Sequence, residues 1–186
     1  GVARFRASID VDAPAFPFPH RIGVEVAARD GRLSVGTTIV PTGRRRVPVA
    51  FGWHPYLRLP GTPRSRWRLR LPDRTHVALD ERGIPTGHST PEPREADPIG
   101  RRTFDDLYLL AGDPRLAIES DDESSVTVRM GAGYPFAQVW VPRGRPFAAL
   151  EPMTARTNSL VDGTAPLVAP GDSFTADFTI TVGAPR

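Results

Sequence analysis

Apolar side chains return at every second position along most of this chain, and no stretch sustains the 3.6-residue apolar spacing of an amphipathic helix. Successive side chains of a strand point to opposite faces, so a period of two marks strands with one dry face and one wet face. The pattern is clearest near the end, where Phe174, Ala176, Phe178, Ile180 and Val182 alternate with Thr175, Asp177, Thr179 and Thr181. Ile22, Val24 and Val26 alternate before Asp30-Gly31, and Leu33, Val35, Thr37 and Ile39 alternate after it. An Asp-Gly pair between two such runs predicts a β-hairpin. Gly1 to Asp12 reads as a looser strand, and Ala13 to Pro19, with three prolines, as an extended linker. Further strands are expected at Val47–Phe51, at Trp67, Leu69 and Leu71 with a partner around Val77 and Leu79, and at Leu116–Ile118, Val126–Met130, Phe136–Val141 and Phe147–Glu151. The polar, proline-rich stretch from Asp80 to Arg102 reads as a long loop, and its lead into Asp105 suggests a wall of a site. The expectation is one all-β domain across residues 1–186, built as a β-sandwich of two packed antiparallel sheets.

Composition narrows the function. All 24 basic residues are arginine, against 21 acids spread through the chain, giving a net charge of +3. Arg44-Arg45-Arg46 is the only tight basic run, and Arg66, Arg68 and Arg70 alternate with Trp67, Leu69 and Leu71 like the wet face of a strand. That distribution argues for a solvated surface and no nucleic-acid partner. The chain has no cysteine, which removes disulfides, thiolate nucleophiles and cysteine metal sites. His20, His54, His76 and His88 lack the close spacing of a metal site, so no metal is expected. No run is long enough for a membrane-spanning helix and no secretory leader is visible, so the expectation is a cytoplasmic protein with no membrane partner.

Chemistry concentrates in Phe51-Gly52-Trp53-His54-Pro55-Tyr56-Leu57-Arg58-Leu59-Pro60-Gly61. Pro55 fixes its own φ, keeps His54 out of the α conformation and offers no N–H to a helix. His54 is thereby held on a stiff turn between aromatics, as a proton donor or as a histidine packed at a loop base. Phe147 to Glu151 is a mostly apolar strand ending in a carboxylate followed by Pro152. A glutamate there is either partly desolvated, and so a stronger base, or simply solvated at a sheet rim. Asp105-Asp106 alone reads more readily as a turn or cap than as a site. Trp53 and Trp140 suit either an apolar platform for a ligand or the core.

Three segments, in order, resemble the aldose 1-epimerase (mutarotase) family: Gly52-Trp53-His54-Pro55-Tyr56-Leu57 with Leu59-Pro60-Gly61, then Thr103-Phe104-Asp105-Asp106-Leu107-Tyr108, then Leu150-Glu151-Pro152-Met153-Thr154-Ala155-Arg156-Thr157-Asn158-Ser159-Leu160. The resemblance covers the chain from about Phe16 to Val182 and implies the large, distorted galactose mutarotase-like β-sandwich, with a sugar in an open cleft on its concave face. It implies that Glu151 is the base and His54 the acid, that Asp105 binds sugar hydroxyls, with Asp106 one position away, and that Gln138 also touches hydroxyls. It implies a small-molecule sugar as partner, a free hexose before a phosphorylated one, and no cofactor. His20 falls where the family has a structural strand entry.

The family's preceding segment, with further strands, an asparagine-arginine pair and a second histidine, has no counterpart here. The chain is therefore expected to be the C-terminal portion of the family domain, with exposed sheet edges and apolar surface inviting self-association into a homo-oligomer. Two other readings use the same residues: a carbohydrate-binding module without turnover, and a glycoside hydrolase with Asp105 and Glu151 as its carboxylate pair.

Overall fold

The computed structural model describes residues 1–183. The chain opens with β1 (Ala3–Ala13), β2 (Phe16–Arg29) and β3 (Arg32–Pro41), followed by the short β4 (Val47–Pro48) and β5 (Tyr56–Leu57). β6 (Arg68–Leu71), β7 (Arg74–Leu79), β8 (Pro85–Glu92) and β9 (Glu95–Pro98) come next. The remainder is β10 (Phe104–Leu110), β11 (Arg115–Glu119), β12 (Ser125–Met130), β13 (Phe136–Val141), β14 (Ala148–Met153), the single-turn helix α1 (Ser159–Asp162), β15 (Leu167–Val168) and β16 (Phe174–Gly183).

Two antiparallel sheets form the layers. The larger has eight strands in the order β1-β2-β3-β16-β12-β11-β6-β9, the smaller has six in the order β5-β14-β13-β10-β7-β8, and β15 with β4 makes a two-stranded ribbon. The core fills the space between them. Leu69, Leu71, Leu116, Ile118, Val128, Met130 and Phe178 come from the larger sheet, and Tyr108, Leu110, Ala137, Val139, Val141, Ala148 and Leu150 from the smaller. Burying each large aliphatic side chain contributes roughly 1.5–3 kcal/mol, so the period-two pattern is what selects this layered arrangement. The hairpin around Asp30-Gly31 forms as expected, Arg29 pairing Arg32 across a turn in which both central residues have positive φ, 43° and 73°.

Five expectations change. Residues 13–19 are not a linker: β2 begins at Phe16, and Phe16, Phe18 and His20 face inward while Pro17 is exposed. The β1–β2 ladder is irregular between Val11 and Ala13, so the prolines fall where a missing N–H costs little. The strand at 47–51 is only Val47–Pro48, because Pro48 cannot continue a ladder and the chain then turns toward β14. β6 and β7 are not partners. They lie in different sheets, with Pro72-Asp73 carrying the chain from one layer to the other.

The stretch from 80 to 102 contains β8 and β9 instead of a long loop. Each lies at a sheet edge, the position where Pro85, Pro91 and Pro98 are tolerated. Asp105 and Asp106 likewise lie inside β10, not in a turn or cap.

Arg74 ties these edges together. Its guanidinium is almost fully buried, lies 2.7 Å from Glu92 of β8 and 3.7 Å from Glu95 of β9, donates to the Pro93 carbonyl at 2.8 Å, and sits 4.8 Å over the Tyr108 ring. Breaking a buried pair leaves its partner's charge uncompensated, at a cost of several kcal/mol. Arg74→Ala is expected to destabilise the fold by about 3 kcal/mol in urea denaturation, and a loss under about 0.5 kcal/mol would show that the clamp is not structural.

Candidate active site

His54 and Glu151 are brought together by strand register. Gly52 bridges Met153, and Tyr56 pairs with Ala149. Both contacts keep the same offset, so His54 lies opposite Glu151 between them. The Trp53 N–H donates to the Pro152 carbonyl at 3.0 Å, and the Phe51 N–H donates to the Thr154 hydroxyl at 2.9 Å. Pro55 has no N–H for the intervening rung, so the segment bows and His54 stands clear of the sheet. Its Nε2 is 3.0 Å from Glu151 Oε1. Gly52 is required for this close approach: a Cβ there would sit 2.8 Å from the Pro152 carbonyl oxygen.

The row continues across the six-stranded sheet. Glu151 pairs with Gln138 of β13, and Gln138 with Leu107 of β10. Asp105 pairs with Trp140, so Asp105, Gln138, Trp140 and Glu151 share the face turned away from the core. Gln138 Nε2 donates to Asp105 Oδ1 at 2.7 Å, fixing both side chains. All four residues expected at the site therefore lie on one face.

Burial sets the electrostatics. The Glu151 side chain is 13% exposed and its carboxyl is pushed up to about 7, chiefly by desolvation and secondarily by the negative Asp105. His54 is more open. Its ring stacks on Tyr56 at 4.7 Å and meets the edge of Trp140 at 5.8 Å. Trp53 takes the opposite direction, donating to the Thr37 hydroxyl at 3.2 Å and packing near Phe178 in the core.

A cleft of about 660 Å³ opens beside this row, lined by Asp105, Gln138, Glu151 and Met153 and walled by the β7–β8 turn. Asp80 stiffens that turn by accepting the N–H groups of Arg82 and Ile84 at 2.9 and 2.8 Å. The wall expected from residues 80–102 is therefore present, but only its first few residues form it. Asp106 turns toward His76, whose Nε2 is 3.4 Å away while its Nδ1 lies 3.3 Å from Glu92. Tyr56 lies beside His54 as the sequence suggested, whereas sequence reasoning missed His76: alternation within Arg74–Leu79 marks a strand but carries no sign of a cleft.

In an open cleft of an antiparallel β-sandwich, an imidazole against a half-buried carboxylate, with Asp105 and Gln138 beside them, is an arrangement that can exchange protons with a polar ligand. A family model described as aldose 1-epimerase matches residues 3–181, and the chain belongs to the aldose 1-epimerase family. Solved structures with the same fold include a galactose mutarotase-like protein from Clostridium acetobutylicum, with a TM-score of 0.85 and 18% identity over 98% of this chain and 63% of that one. A galactose mutarotase related enzyme from Lactobacillus acidophilus has a TM-score of 0.81 and 18% identity over 98% of this chain and 69% of that one. An aldose epimerase homologue from C. elegans has a TM-score of 0.77 and 14% identity over 100% of this chain and 66% of that one. This chain thus spans about 63% of the length of the Clostridium protein. Among curated proteins, no sequence matches it significantly.

A carboxyl with a raised value binds its proton more tightly when folded, so its contribution to stability falls as pH climbs from the ordinary glutamate range to about 7. Glu151→Gln removes the cost of holding a charge there. The variant is expected to be more stable than the parent at pH 8, by about 1–2 kcal/mol after screening by water in the cleft. The difference should vanish near pH 4, and equal stabilities at pH 8 would refute the desolvated carboxylate.

Proposed function

We propose that this chain interconverts the α and β anomers of a free hexose by acid–base ring opening and reclosure. The observation that supports this most directly is the 3.0 Å contact between His54 and the half-buried Glu151. In a cyclic hexose the C1 hydroxyl and the ring oxygen are attached to the same carbon. A neighbouring base and acid can therefore serve both oxygens once the sugar comes between them and the His54 N–H turns from Glu151 to the ring oxygen. Glu151 takes the C1 hydroxyl proton while the His54 imidazolium gives one to the ring oxygen. The C1–O5 bond breaks, the aldehyde forms, and rotation about C1–C2 presents its other face. Reclosure returns both protons, so the residues end as they began. Electrons and atoms balance without a metal or an organic cofactor.

The supporting groups fit the same reaction. A carboxylate near 7 is a stronger base than an ordinary glutamate yet still ionises at neutral pH. Asp105 and Gln138, already bonded to each other, offer acceptors and a donor to ring hydroxyls. Tyr56 and Trp140 flank His54 and provide apolar faces for ring C–H groups.

Mutarotation of freshly dissolved α-glucose and α-galactose, followed by polarimetry, tests the proposal. Glu151→Gln and His54→Asn are each expected to lower the rate by roughly 10²–10⁴-fold, and Gly52→Val to lower it by displacing His54. The parent's rate should climb with pH as Glu151 becomes the free base near 7 and fall again at higher pH as His54 loses the proton it donates, giving a bell-shaped profile. Saturable sugar binding by a parent chain whose rotation kinetics match buffer would sink the enzyme reading and leave a sugar-binding module.

A further inference from the structure

Alternation along β3 places Leu33, Val35, Thr37 and Ile39 on its core-facing side. Thr37 is the one member of that row with a polar side chain, and it is only 3% exposed. Valine has the same shape without the hydroxyl and would be the ordinary occupant of such a place. A buried hydroxyl is costly unless it is hydrogen-bonded. Here Thr37 Oγ1 accepts the Trp53 indole N–H at 3.2 Å, so a strand of the eight-stranded sheet reaches across the interior to the segment that carries His54. The Tyr134 hydroxyl is buried beside the same two side chains, pushed up to about 12 chiefly by desolvation. Tyr134 and Trp53 also both pack against Phe178, each with ring centroids 6.0 Å from it. A small polar group therefore sits in an otherwise apolar core, directly behind the candidate acid.

We propose that Thr37 is a positioning residue for His54, holding the acid of the proposed reaction against Glu151 from the other sheet. Trp53 comes immediately before His54 and is fixed at two points. Its backbone N–H donates to the Pro152 carbonyl at 3.0 Å, and its indole N–H donates to Thr37. With the main chain tied to β14 and the ring tied to β3, Trp53 can neither slide along the sheet nor swing about its side-chain bonds. On the far side of His54, Pro55 removes the rung that would otherwise steady it. The double tie on Trp53 thus fixes the start of the bowed turn. Replacing the hydroxyl by a methyl leaves the indole N–H buried without its acceptor, and that cost drives the ring to seek another. The indole then turns to the Tyr134 hydroxyl beside it, and His54 follows. A misplacement of about 1 Å at a reacting group can lower a rate by as much as about a hundredfold, so a shift of a fraction of that is felt. The sugar is held by Asp105 and Gln138 on other strands, so the loss falls on turnover and not on binding.

Thr37→Val, which deletes the hydroxyl, and Thr37→Ser, which keeps it, test the assignment. It rests on His54 being the acid of the proposed reaction, so one of the two readouts needs no activity. In mutarotation of α-galactose followed by polarimetry, Thr37→Val is expected to lower kcat roughly three- to tenfold while KM stays within about twofold, and Thr37→Ser to recover the parent's kcat. In proton NMR of the folded protein at one pH, Glu151→Gln should shift the His54 imidazole resonances. Made in the Thr37→Val background, the same change should shift them by less than about half as much, because the imidazole no longer rests against that side chain. A general loss of stability would move neither the kcat-against-KM split nor this coupling in protein that stays folded. A parent with no mutarotase activity would end the proposed function and leave the imidazole resonances to judge Thr37. The proposal is overturned by a Thr37→Val variant with the parent's kcat, by one whose His54 resonances respond fully to Glu151→Gln, or by equal losses in the valine and serine variants.

Discussion

The site depends on a short segment held against β14 at both ends and free in the middle. Backbone contacts from Phe51 to Trp53 secure it to Pro152–Thr154, and Tyr56–Leu57 secure it to Ala148–Ala149. Between them Pro55 removes a rung. Regular pairing would have drawn His54 into the sheet as one more cross-strand neighbour, and a loose loop would have let it wander. Anchoring on both sides with a missing donor between them places the imidazole over Glu151 with little freedom. The Thr154 hydroxyl, accepting from the Phe51 N–H and donating to the Phe51 carbonyl at 3.0 Å, makes the upstream anchor a closed hydrogen-bond unit.

Two neighbouring aspartates show how strand geometry separates roles. Both line the cleft, but Asp105 is held by Gln138, whereas Asp106 turns toward His76, where burial raises its carboxyl above the ordinary range against the pull of the imidazole. Both are acidic and adjacent in sequence, and only the period of two distinguishes them. Arg74 then joins β7, β8 and β9 from the same side as His76. The strands that carry the cleft wall are thus tied together by ion pairs. Glu151 combines the two conditions in one side chain: dry enough to become basic, and close enough to Asp105 to feel its charge.

Much of this could be read from residues alone. The hairpin at Asp30-Gly31, the strands at 126–130 and 136–141 and the long final strand follow from alternation and turn chemistry. The candidate residues His54, Asp105 and Glu151 stand in the three segments that resemble the aldose 1-epimerase family and Gln138 in a separate strand, and register sets all four on one face of the six-stranded sheet. The misreadings have a common source in proline. Pro17 and Pro19, like Pro85, Pro91 and Pro98, look like loop markers in a linear sequence, yet a strand at a sheet edge or beside a bulge tolerates them. Trp53 and Trp140 also looked equivalent, and the structure sends the first to the core and the second to the site.

The sequence by itself determined the local matters: an all-β chain, the turn at Asp30-Gly31, the stiffness at His54-Pro55 and the family to which the residues point. These depend on backbone sterics and side-chain periodicity within a few positions. Tertiary structure alone decided that β6 and β7 part into different sheets, that Asp105 and not Asp106 faces Gln138, and that Glu151 loses water and gains a basic carboxylate. Those outcomes arise from register and burial between residues up to about a hundred positions apart, and no local pattern encodes a desolvation energy.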